Sequence, residues 1–164
     1  MRVVIAALTL ALLACATLPA QAAQSLLPAP EAQATPEAQA AEQPARISVR
    51  VSISRQVMEV FHEGRKIHEW PVSTARQGKI TPTGQWNGAQ WLSRNHRSSL
   101  YNNAPMPFAV FYNGNYAIHG TDQVRKLGRP ASAGCVRLHT ANAKILFNMV
   151  RAEGKDNLRV TVVR

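Results

Sequence analysis

Large apolar side chains fall on every second position at Ile47, Val49, Val51 and Ile53, with polar residues between them. A repeat of two places those side chains on one face of an extended strand. Such a chain must build a sheet and cover one face of it. More strands follow the same logic. Residues 57–62 read as a second strand, Glu63-Gly64 as a turn and 66–72 as the return strand of a hairpin. Residues 73–84 are rich in Ser, Thr, Gly and Pro and read as a loop. Residues 108–112 and 116–119 read as strands joined through Asn113-Gly114-Asn115, and 158–163 as a last strand. One helix is expected, with Thr140 as N-cap, an apolar stripe of Ile145, Leu146, Met149 and Val150, and Gly154 at its end. The expected fold is therefore mainly β, a mixed α+β domain with one packed helix. Residues 85–105 carry no period that assigns them.

The chain divides into three parts. In residues 1–22, Arg2 precedes an uncharged apolar run over 3–14, then Pro19 and the small residues Ala20 and Ala22. That run is too short to span a bilayer, and the order is that of a signal peptide. Export to the periplasm or cell envelope is the expectation. Lipidation at Cys15 is the less favoured alternative, because Leu13 stands where a lipobox usually has a small residue. Residues 23–45 are Ala, Gln, Pro and Glu with almost no large apolar group, the composition of a disordered tether. Residues 46–164 are long enough for one modest core.

Of the 19 Lys and Arg, 18 lie from Arg46 onward, against 6 of the 9 Asp and Glu, an excess of 12 positive charges in the domain. A basic domain attracts polyanions. For an exported chain that means anionic wall polymer or lipid and no nucleic acid. The mature chain has no transmembrane segment by this reading, and it keeps a single cysteine, Cys135, which cannot form an internal disulfide. A lone thiol in an oxidising compartment is a liability unless it is buried or used.

The informative segment is Ile118-His119-Gly120-Thr121, followed after a gap by Ser132-Ala133-Gly134-Cys135-Val136-Arg137. A cysteine attacks as thiolate, and a neighbouring imidazole can take its proton. His119 is the candidate base, and the Gly120 carbonyl can orient its ring. Backbone amides at Gly134 and Cys135 are candidate oxyanion donors. Ser132 can bond within the turn or to the histidine, and the fork of Arg137 suits a substrate carboxylate. His139 with Cys135 and His119 sketches three metal ligands but lacks a fourth, so no metal and no cofactor is expected.

These residues resemble the signature of the L,D-transpeptidase catalytic domain, also called YkuD-like. Val72-Ser73-Thr74 and Thr81-Pro82-Thr83-Gly84 resemble the same family's approach loop. The resemblance implies an L,D-transpeptidase-like β-sandwich over 46–164 and a cysteine-dependent acyl transfer on peptidoglycan stem peptides. It implies Cys135 as nucleophile, His119 as base, Gly120 as the orienting carbonyl, and Ser132, Gly134 and Arg137 around the thiol. The acceptor is a second stem peptide or an amine on an envelope protein. Water as acceptor, giving a hydrolase, and a catalytically silent wall-binding domain are the alternatives. One departure stands out: many members carry His where this chain has Ala133.

Overall fold

A computed structural model describes residues 45–164. The expected signal peptide, Cys15 and all but the last residue of the expected tether lie outside the described residues. Among the described residues nine strands form two sheets. In chain order they are β1 (Ile47–Ser52), β2 (Val57–His62), β3 (Arg65–Pro71), β4 (Gly84–Asn87), β5 (Trp91–Arg97), β6 (Pro105–Asn113), β7 (Tyr116–Thr121), β8 (Val136–His139) and β9 (Leu158–Val163). Helix α1 (Thr140–Glu153) lies between β8 and β9. One sheet has the order β3-β2-β1-β9-β4 and the other β5-β6-β7-β8. Within them β1 pairs β9 and β7 pairs β8 in parallel; the remaining pairs are antiparallel.

The alternation read at the start of the domain is the inner face of the first sheet. Ile47, Val49 and Val51 are buried, as are Val160 and Val162 of the paired β9. They share one core with Val110, Ile118, Val136 and Leu138 of the second sheet and with Leu146, Phe147 and Val150 of α1. The β2–β3 turn has positive φ at both Glu63 and Gly64, the backbone that suits the twist of a two-residue hairpin.

Two expectations are corrected, and the unassigned residues 85–105 are placed. They hold β4 and β5, and β5 is an edge strand whose residues are mostly polar or exposed, so no alternation marks it. The helix is capped by His139 rather than Thr140. The His139 Nδ1 accepts from the Ala141 amide at 3.2 Å, while Thr140 begins the helix and its hydroxyl donates to the Thr121 carbonyl at 3.3 Å. The buried stripe of α1 is Ala143, Leu146, Phe147 and Val150, leaving Ile145 exposed. The C-terminal end of the helix is tied to residues distant in sequence: Glu153 accepts from Arg46 at 2.9 Å and meets His62 Nε2 at 3.2 Å. Among the described residues no helix is long and apolar enough to cross a membrane.

Candidate active site

The pairing of β7 with β8 builds the site. Parallel neighbours in register share a face, and successive residues alternate faces. Ile118 is level with Val136, and both point into the common core. Their sequence neighbours, Ala117 and His119 on β7 with Cys135 and Arg137 on β8 and its entry, therefore share the opposite face. The crossover between the two strands returns the chain 16 residues after His119 with its thiol on that face. A cleft of about 240 Å³ opens there, lined by His119, Cys135, Arg137, Ser132 and Ala133 together with Arg76. Its further wall is the β5–β6 connection, with Ser98, Leu100, Tyr101 and Ala104. Part of the stretch that the sequence left unassigned thus borders the cysteine.

His119 is 5 % exposed, and its Nδ1 lies 2.8 Å from the Gly120 carbonyl oxygen. A carbonyl only accepts, so Nδ1 carries the proton and Nε2 is left as the basic nitrogen. Burial disfavours the imidazolium and holds the ring's pKa down to about 4, opposed by the Gly120 hydrogen bond. Burial also pushes the Cys135 thiol up, opposed by the Ala117 amide and the Arg137 charge. Both shifts favour the uncharged partners.

Gly120 is required for space rather than for an unusual turn. A Cβ there would lie 3.0 Å from Thr140 Cα and 3.1 Å from Pro107 Cγ, so any larger residue would press the start of α1 away from β7 by a few tenths of an ångström. Gly134 is tighter and has φ +142°. Its Cβ would sit 2.8 Å from Tyr116 Cε1 and 2.9 Å from the Ile80 carbonyl oxygen. Gly134→Ala should therefore displace the cysteine turn. The expected result is a loss of about 2 kcal/mol or more in denaturant unfolding, with slower acylation of Cys135. Unchanged stability and rate would mean that the turn has slack.

The Gly134 amide donates to Ser132 Oγ at 3.0 Å. Ser132 thus bonds within the turn, the first of its two expected partners, and the Gly134 N–H is engaged rather than free. The Arg137 backbone pairs with Ser73 in both directions, at 3.0 and 2.9 Å. Its guanidinium donates to the neutral Gln123 Oε1 at 3.2 Å, and the Asp122 carboxylate of the same cleft also acts on its charge. The approach loop is held by two residues to which the sequence assigned no supporting role. Gln56, buried with φ 52°, donates to Thr74 Oγ1 at 2.6 Å and accepts from the Thr74 amide at 2.9 Å. Thr81 accepts from the Ala75 amide at 2.9 Å and donates to the Gly134 carbonyl at 2.7 Å. Nothing local distinguishes Gln56 from a surface glutamine. Thr81 belonged to a resembling motif whose role the sequence left blank. His139, used as a helix cap, lies outside the cleft lining, and among the described residues no three His, Cys, Asp or Glu side chains are grouped to hold a metal.

Residues 46–162 match the YkuD family, described as the L,D-transpeptidase catalytic domain. The YkuD protein of Bacillus subtilis is 25 % identical over 120 residues, covering 71 % of this chain and 65 % of that protein. An L,D-transpeptidase structure from Stackebrandtia nassauensis superposes with a TM-score of 0.64 at 25 % identity, over 75 % of this chain and 58 % of that one. One from Mycobacterium smegmatis gives 0.64 at 19 % identity, over 73 % and 59 %. The chain thus spans less than two thirds of the length of each of these relatives.

Proposed function

The chain belongs to the L,D-transpeptidase catalytic-domain family, and from that premise we propose that it is an exported cysteine acyltransferase acting on peptidoglycan stem peptides. The observation that carries the reading is the shared face of β7 and β8, where a buried imidazole with its Nδ1 proton fixed to Gly120 lines the same cleft as the lone thiol.

In the proposed reaction His119 Nε2 takes the Cys135 proton as Sγ attacks the carbonyl carbon of the third stem residue. A C–S bond forms and the carbonyl oxygen becomes an oxyanion. The intermediate collapses by breaking the C–N bond to the terminal D-alanine, whose nitrogen receives the proton held by His119. The thioester is then attacked by an amine, which gives its proton back through His119 to the departing thiolate. Arg137, at the cleft with a neutral hydrogen-bond partner, is suited to a stem carboxylate. Ala133 lines the cleft with a methyl group, so any contribution of a second imidazole from that position is absent here. The basic surface favours residence at an anionic wall. Export through residues 1–22, with 23–45 as a tether, belongs to the same proposal.

The test is mass spectrometry of the purified mature protein incubated with disaccharide-tetrapeptide. A cross-linked dimer that has lost one D-alanine is the expected product. Tripeptide monomer would make water the acceptor and the protein a hydrolase. A Cys135 acyl adduct without either product would assign the acceptor to another amine, such as one on an envelope protein. Neither adduct nor product would overturn the catalytic reading.

A further inference from the structure

We propose that Thr81 is a positioning residue that sets the oxyanion hole, by locking the peptide unit between Gly134 and Cys135. The inference rests on the acyl-transfer reading and adds a residue to it. Thr81 is 6 % exposed and its hydroxyl is fully committed. The Ala75 amide donates to it at 2.9 Å, so its own proton goes to the Gly134 carbonyl at 2.7 Å. In a trans peptide the carbonyl and the following N–H point in opposite directions. Holding the Gly134 oxygen on Thr81 therefore turns the Cys135 N–H away from Thr81.

The amide on the other side of Gly134 is already spent on Ser132 Oγ. That leaves the Cys135 N–H as the amide of this turn placed to meet charge developing beside its own Sγ. The anchor is itself rigid. Ala75 follows Thr74, which Gln56 holds through both ends of its amide, and the neighbouring Ser73 is paired to the Arg137 backbone. Tyr116 and Ile80 close off the space where a side chain at 134 would lie. A hydrogen-bonded path thus runs from the approach loop to the one peptide unit that acylation uses.

The experiment separates reactions that do and do not form an oxyanion. Iodoacetamide alkylates a thiol by displacing iodide at carbon, with no tetrahedral oxyanion, whereas acylation by a carbapenem or a muropeptide passes through one. In Thr81→Val the acylation rate constant should fall roughly 10- to 100-fold, while the Cys135 alkylation rate stays near wild type. Thr81→Ser, which keeps the hydroxyl, should recover most of the acylation rate. Two results overturn the inference: alkylation and acylation falling together, which makes Thr81 a plain support of the turn, or acylation unchanged in Thr81→Val. Failure of the acyl-transfer reading looks different, since wild type itself would then alkylate but never acylate.

Discussion

Cys135→Ala should reduce acyl-enzyme formation and product release to background, a loss of about 10⁴-fold or more in rate, while the domain stays folded. The side chain is half-buried on the cleft face against Met106, Ala109, Phe111 and Ala117. Its polar contacts are the Ala117 amide and a long 3.6 Å approach of Sγ to the Asn115 carbonyl. Removing one sulfur from such a site costs about 1 kcal/mol, so loss of activity cannot be ascribed to unfolding. Intact mass after incubation with a carbapenem reads the chemistry, and thermal unfolding reads the fold. An adduct that still forms on the alanine variant would place the nucleophile on another side chain, because Cys135 is the free cysteine of the described residues. A large drop in unfolding temperature would instead recast the thiol as a packing residue.

What could be read in advance follows the physics of each element. Strands buried on one face declared themselves through alternation, as in Ile47, Val49 and Val51. The hairpins showed through Glu63-Gly64 and Gly114, where the backbone adopts positive φ. Strand β8 did not show, because its four residues are too few to display a period, and its partner β7 lies 15 or more residues earlier. Edge strand β5 failed for the opposite reason: exposed polar residues satisfy it, so no apolar rhythm is needed. The helix stripe was misplaced by one step, since Ile145 looks as apolar as Phe147 until the sheet decides which side is covered. In the site, the residues of the proposed chemistry were visible as a motif, and so was the Gly120 carbonyl as partner to His119. The reason for glycine at 120 was not, since it depends on how closely α1 approaches β7. Gln56 and Thr81 were invisible as supports because their partners lie 18 and 53 residues away.

His119→Gln should slow acylation by about 10³-fold and should also remove an acid sensitivity from the fold. The two effects share one cause, the burial of a neutral imidazole. The unfolded chain binds a proton at this residue near pH 6.5, whereas in the folded chain burial delays that to about 4. Between those values the unfolded state holds the extra proton, so stability rises with pH there. The contribution is fully present above about pH 6.5 and is lost as pH falls toward 4, a total on the order of 3 kcal/mol. Glutamine does not titrate, so the difference in unfolding free energy between the two proteins should grow less favourable to wild type across that window. Parallel curves would mean that His119 is not held neutral by the fold. The rate carries the matching signature. A base already neutral at rest gives kcat/KM a plateau across about pH 6 to 8 and an acid limb well below the ordinary imidazole range. An acid limb at or above about 6.5 would require the imidazolium to persist near neutrality, and the thiol would then be activated as an ion pair rather than deprotonated during attack.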